Sequence, residues 1–165
     1  MTKSLLRTDS EVAEIYIRQV KTVFRVCFTY MKNVANTEDA VADTFVKMMK
    51  SAPAFENEEH EKAWLIRTAI NVCKDALKQW WRKNEDISDY SRTLKSEDSF
   101  EIDGIAGTVL GLPEKYKAVV YLYYYEGYTS VQISEFLHKP QSTIRNHLHE
   151  ARNILRERLG DSFER

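Results

Sequence analysis

Residues 128–159 read YTSVQISEFLHKPQSTIRNHLHEARNILRERL, and the pattern of this stretch decides the architecture. Thr129 and Gln132 have the spacing of a capping box, in which the hydroxyl takes a backbone N–H and the Gln reaches back. Gly127 in front of them suits a chain reversal after a preceding helix. The helix they open carries Val131, Ile133, Phe136 and Leu137. It should stop near His138-Lys139-Pro140, because proline disfavours helix in the residue before it. A second helix follows, with apolar positions at Ile144, Leu148, Ala151, Leu155 and Leu159 in steps of four, three, four and four. Beside that line, Arg145, His149, Arg152 and Arg156 form a second stripe at helical spacing. Two short helices around a tight turn, the second buried on one side and basic on the other, fit a DNA-binding helix-turn-helix. An ordinary helical hairpin with a solvated basic face fits the same pattern.

Outside this stretch, 165 residues allow one medium domain or two small ones. A hydrophobic fraction of 43% and an aromatic fraction of 12% support a packed core and exclude a wholly disordered chain. No apolar run approaches the roughly 18 residues of a membrane span. The opening MTKSLLRTDSEVAE lacks the apolar centre of a signal peptide. Cys27 and Cys73 fall within apolar helical patterns, as buried free thiols of a cytoplasmic protein would. The net charge of −1 conceals an asymmetry: residues 1–84 hold 14 Lys and Arg against 11 Asp and Glu, residues 85–107 hold 2 against 7, and residues 108–165 hold 8 against 7. Binding to phosphate must therefore come from local stripes, since the global field will not supply it.

A first helix is expected over Asp9–Met31, capped by Asp9 or Ser10, with Val12, Tyr16, Val20, Val23, Cys27 and Met31 on one side. A second opens on Asn36-Thr37-Glu38-Asp39, where Asn36 and Asp39 have cap-and-return spacing. It continues through Ala40, Val41, Phe45, Met48 and Met49 and ends before Pro53. Its acids Glu38, Asp39 and Asp43 make a small negative surface that capping and solubility also explain. After a polar loop over 54–60, a third helix runs from Glu61 to Lys83, with Trp64, Ile70, Cys73, Leu77 and Trp80 or Trp81 as apolar positions. Along it Arg67, Asn71, Lys74, Lys78 and Arg82 step by four, three, four and four. A basic line with an embedded Asn suits a phosphate backbone plus a base edge, and the Trp rings suit either base stacking or the core. Residues 84–107 then turn rich in Asp, Glu and Ser without periodicity, which marks a linker. A C-terminal unit opens at Thr108, with Pro113 in the first turn of a helix through YKAVVYLYYY (Tyr116–Tyr125), whose tyrosines are expected to pack. The fold expected is all-α: two small helical domains, 1–84 and 108–165, joined by a flexible acidic linker over 85–107.

Enzyme signatures are missing from the sequence. The glycines, Gly104, Gly107, Gly111, Gly127 and Gly160, form no phosphate loop. His147 and His149 are two apart on a helix and so point to different sides, while His60 and His138 have no cluster at zinc spacing. A binding protein is expected, with no catalytic residue, metal or cofactor.

Two separate basic helices joined by an acidic tether resemble the extracytoplasmic-function sigma factors, small members of the bacterial sigma-70 family. The resemblance covers roughly residues 11–83 and 108–159. NTEDAVADTF (Asn36–Phe45) is similar to the segment that binds the clamp helices of RNA polymerase, and AWLIRTAIN (Ala63–Asn71) to the one that reads the melted minus-ten element. LPEKYKAVVYLYYYEGYTSVQISEFL (Leu112–Leu137) and STIRNHLHEARNILRERL (Ser142–Leu159) are similar to region four, which reads the minus-thirty-five element in duplex DNA. The resemblance implies polymerase contacts at Glu38, Asp39, Asp43 and Phe45. It implies minus-ten contacts at Phe55, Trp64, Arg67, Asn71, Lys74, Lys78 and Arg82, with Asn71 meeting a flipped-out base captured by the loop from Phe55 to Glu61. It implies minus-thirty-five contacts at Ser142, Thr143, Arg145, Asn146, His149 and Arg152. Asn36 stands where an acid often opens the clamp motif, Ala42 where Gln is customary, His147 where Arg is common and Glu150 where a base is frequent. The implied function is a promoter-specificity subunit whose partners are core polymerase (clamp and flap), promoter DNA and an anti-sigma factor, with no membrane insertion. Its acidic linker would mimic a nucleic-acid backbone in the polymerase channels. A conventional helix-turn-helix regulator that is not a polymerase subunit is the alternative, and a polymerase-binding adaptor that does not read DNA is another.

Overall fold

A computed structural model describes residues 7–51, 53–83 and 111–160, and the chain divides into two compact units, 1–98 and 99–165. The expected linker and its boundaries at 84 and 107 lie outside the described residues. All regular structure among the described residues is helical.

Among its described residues the first unit holds three helices, each packed on the other two: α1 (Asp9–Met31), α2 (Val34–Ser51) and α3 (Glu58–Lys83). α1 has the predicted bounds, but its cap is Thr8, whose hydroxyl accepts from Glu11 N at 3.1 Å while the Glu11 carboxylate accepts from Thr8 N at 3.0 Å. Lys32 closes the helix in the left-handed region at φ 65°. The start of α2 differs from expectation. Asn33, not Asn36, supplies the cap, its Oδ1 accepting from Asn36 N at 2.8 Å, so Asn36 already lies inside the helix. α3 likewise begins before the predicted Glu61, at Glu58, with Asn57 Oδ1 accepting from His60 N at 2.8 Å. In both cases an Asn outside the apolar stripe satisfies an N–H that would otherwise lack a partner, which periodicity cannot reveal.

Between the helices, Val23, Cys27, Met48, Leu65, Ile66, Ala69, Ile70 and Cys73 are fully buried. Each large aliphatic among them stabilises the unit by about 1.5–3 kcal/mol relative to exposure. On α1 the expected Val23 and Cys27 are inside, but in the first half of the helix Ile15 and Gln19 are buried instead of Tyr16, which is 45% exposed. The two cysteines are free and buried as expected, and Cys73 Sγ lies 3.9 Å from the Cys27 carbonyl oxygen.

Among its described residues the second unit holds α4 (Glu114–Val120), a π-helical turn (Tyr121–Tyr125), α5 (Ser130–Leu137) and α6 (Gln141–Leu159). The tyrosine-rich run is helical, with Pro113 as the residue preceding α4. Its last turn widens: Glu126 N donates to Tyr121 O at 3.2 Å, and the chain reverses at Gly127, whose φ of +77° costs little without a Cβ. The capping box at Thr129 and Gln132 is present in full. α5 ends at His138, a left-handed residue at φ 54° that takes the place glycine usually fills. Gln141 Nε2 reaches across the turn to Ser130 Oγ at 3.1 Å and ties the two helix starts together. Ile144, Leu148, Ala151 and Leu155 are buried, Ala151 and Leu155 in a cluster with Leu112, Tyr116 and Val120, and the side chain of Leu159 lies outside the described set. Val131 departs from expectation at 49% exposed, leaving Ile133, Phe136 and Leu137 as the buried face of α5.

Candidate nucleic-acid interface

The α3 line survives as a surface. Asn71, Lys74, Lys78 and Arg82 are exposed and Arg67 is half-buried, while the opposite side of the helix supplies Leu65, Ile66, Ala69, Ile70 and Cys73 to the core. Trp64 continues the line three residues before Arg67. It is half-buried, and its ring meets Phe55 edge-on at 5.9 Å. Phe55 in turn meets His60 at 5.7 Å. An aromatic nook therefore stands at the head of a basic, Asn-bearing face, a combination suited to stacking one base while the backbone runs along cations. Trp81 is 41% exposed and set edge-on against half-buried Trp80 at 5.1 Å, so the two rings divide between surface and core.

Arg7, which sequence reasoning left aside, braces the nook, and Glu61 ties the start of α3 to α1. The Arg7 guanidinium lies over the Phe55 ring at 4.7 Å and donates to the Pro53 carbonyl at 2.5 Å. Glu61, the last residue of the expected capture loop, is instead helical and buried at 5% exposure. Its carboxylate accepts from Arg18 Nε, Arg18 Nη2 and Gln19 Nε2, each at 2.9 Å. Burial raises the Glu61 pKa, but the bonds from Arg18 and Gln19 outweigh it and hold the carboxyl below its ordinary value.

On α2, Glu38, Asp39 and Asp43 are exposed, and the exposed apolar residues Val46 and Met49 follow them along the helix. Phe45 is not on that surface: at 5% exposure it belongs to the core, its ring 4.9 Å from that of Tyr16.

On the second unit, Ser142, Arg145, Asn146 and His149 are exposed along α6, and Thr143 is half-buried. Arg152 is half-buried and turned onto its own domain, Nε donating to the Tyr124 hydroxyl at 2.5 Å. Glu150 does not interrupt the arginine stripe, because its carboxylate accepts from the Tyr116 hydroxyl on another side of the helix. His147 is half-buried, edge-on to Tyr116 at 5.5 Å, and burial with nearby Lys139 holds its imidazole below the ordinary histidine value. Among the described residues no His, Cys, Asp and Glu cluster is shaped for a metal ion, and no helix is long and apolar enough to cross a membrane.

Fold and faces together define a nucleic-acid-binding protein of two helical units. Residues 15–83 match the model of sigma-70 region 2, and residues 105–155 match that of sigma-70 region 4. The chain is 25% identical over 171 residues to the ECF RNA polymerase sigma factor SigW of Bacillus subtilis, covering 92% of this chain and 89% of that one. It is 28% identical over 138 residues to the ECF RNA polymerase sigma-E factor of Haemophilus influenzae, covering 73% of each. In fold it is similar to the sigma factor RpoE of Bartonella quintana, solved in complex with the anti-sigma factor NepR, with TM-score 0.69, 17% identity, and coverage of 89% of this chain and 95% of that one. The chain belongs to the extracytoplasmic-function sigma factors of the sigma-70 family.

Proposed function

We propose that this sigma factor directs bacterial RNA polymerase to its promoters through two weak grips, acting in the cytoplasm and performing no chemistry of its own. The α3 face is the first grip: Phe55 and Trp64 receive an unstacked minus-ten base, Asn71 bonds to a base edge, and Arg67, Lys74, Lys78 and Arg82 follow the strand's phosphates. The exposed start of α6 is the second, with Ser142, Thr143, Arg145, Asn146 and His149 entering the major groove of the minus-thirty-five duplex. Glu38, Asp39 and Asp43, with the apolar Val46 and Met49 beside them, form the surface for the polymerase clamp. The organisation behind this reading is residues 1–84 as region two, 85–107 as an acidic tether and 108–165 as region four, with polymerase fixing the distance between the grips. An anti-sigma factor is the expected regulator.

One observation carries the reading: a continuous exposed line of Asn and cations on α3, headed by an aromatic nook. Run-off transcription with core polymerase on a genomic fragment library, with and without the protein, tests it. A discrete set of start sites that depends on the chain is the expected result. Sequence-specific nanomolar binding to a promoter duplex by the isolated chain, indifferent to core polymerase, would mean a conventional regulator instead.

A further inference from the structure

Arg152 of α6 is engaged by the tyrosine-rich turn of its own domain. Arg145 is exposed, whereas the Arg152 guanidinium lies over the Tyr124 ring at 5.9 Å and its Nε donates to the Tyr124 hydroxyl. Tyr124 belongs to the widened turn after α4 and is 47% exposed, so it stands at the surface beside α6 rather than in the core. The bond uses one of the five guanidinium N–H donors, and no other acceptor among the described residues takes the remaining four. Arg152 also sits far along its helix. It follows Gln141 by eleven residues, about 16 Å at the rise of an α-helix. Side chains that read base edges in this motif come from the first turns of the recognition helix.

We propose that Tyr124 is a positioning residue for upstream promoter recognition: it fixes Arg152 so that the outer edge of the guanidinium clamps a phosphate of the minus-thirty-five duplex, and Arg152 does not read a base. A planar fork held at Nε presents its paired outer donors in the geometry that phosphate oxygens accept, and holding it in advance reduces the rotamer freedom lost on binding. This inference rests on the reading of α6 as the minus-thirty-five reader.

The test uses holoenzyme assembled from the full chain and core polymerase. The probes are the strongest promoter recovered from the run-off library and the same promoter cut back from its upstream end so that it lacks the minus-thirty-five element. Tyr124→Phe should weaken occupancy of the full promoter about 3- to 10-fold, the range of one net hydrogen bond. Arg152→Lys, which keeps the charge without the Nε bond, should do the same. Tyr124→Phe combined with Arg152→Ala should be no weaker than Arg152→Ala alone. Occupancy of the truncated template should hold, and base preferences across the minus-thirty-five element should be unchanged in every variant. Arg152→Ala should also reduce the slope of log affinity against log salt by about one phosphate's share. Wild-type occupancy with Tyr124→Phe, or relaxed preference at one base pair with Arg152→Ala, overturns the inference. Equal losses on both templates would assign Tyr124 to the fold alone and overturn it as well. Arg145→Ala separates the two levels: if it too leaves the full promoter unaffected, the reading of α6 fails; if it weakens the full promoter while Tyr124→Phe does not, only the role of Tyr124 fails.

Discussion

Glu61 is the polar hinge of the first unit, and removing its carboxylate should loosen that unit by a measurable amount. Three hydrogen bonds from α1 converge on it, two from one guanidinium, and the residue is 5% exposed. Breaking a buried, hydrogen-bonded pair by deleting one partner costs about 3–5 kcal/mol. Two features reduce that figure. The Arg18 side chain is 36% exposed, so it recovers hydration, and Glu58 lies 3.1 Å from Arg18 Nε as a second acceptor. Glu61→Ala should then destabilise by about 2–3 kcal/mol, and Glu61→Gln, which keeps the shape and one acceptor, by about 1–2 kcal/mol. Trp64, Trp80 and Trp81 are the chain's three tryptophans and all lie on α3, so tryptophan fluorescence during urea unfolding reports this unit alone. At a urea slope of about 1–3 kcal/mol per molar for small proteins, Glu61→Ala should lower the midpoint by about 1–2 M. The pH dependence has a definite sign. A carboxyl held below its ordinary value in the folded state binds fewer protons there than in the unfolded chain. Its contribution is therefore complete above the unfolded value and fades as pH falls through the folded one, so the gap between wild type and Glu61→Gln should narrow below about pH 4.5. A midpoint shift under about 0.3 M for Glu61→Ala, or a gap that widens in acid, would refute the argument.

Thr129→Ala removes one side of the α5 capping box and should cost about 1 kcal/mol, read as faster amide exchange across Ser130–Leu137, with Thr129→Ser restoring protection. Its hydrogen bond with Cys27, together with burial, pushes the Cys73 thiol far above the range of a reactive cysteine. Native protein at pH 8 should therefore resist a disulfide reagent until urea unfolds the first unit, and prompt labelling would contradict the burial of both thiols. Lys78→Ala, on the exposed α3 line, should weaken holoenzyme binding to minus-ten single strands similarly across sequences and lower the salt slope by about 0.7, the value for one phosphate on a single strand. Asn71→Ala should instead change base preference at one position and leave that slope in place, and a uniform loss would assign Asn71 to the backbone.

What could be read from the sequence follows from which interactions have a period. The order of the helices, the α6 stripe and the Thr129 capping box rest on fixed spacings of three and four, and the structure has them where the spacing put them. The misplaced helix starts at Asn33 and Asn57 rest on single side chains meeting single N–H groups, which leave no repeat in the sequence. Phe45 illustrates a different limit. Its motif neighbours Asp39 and Asp43 face solvent, but a ring two residues after Asp43 rotates inward and pairs with Tyr16, so proximity in a motif did not mean a shared surface. Arg152 and Tyr124 are 28 residues apart, and the contact depends on a π-turn that widens the end of an otherwise α-helical tyrosine run. No helical spacing encodes that contact. It arises only when α6 folds back beside the turn, which engages with its own domain a cation that the resemblance placed among the minus-thirty-five contacts. The same folding leaves Ser142, Arg145 and Asn146 exposed on the first turns of α6, so the proposed division puts base selection at the start of the helix and phosphate anchoring further along it.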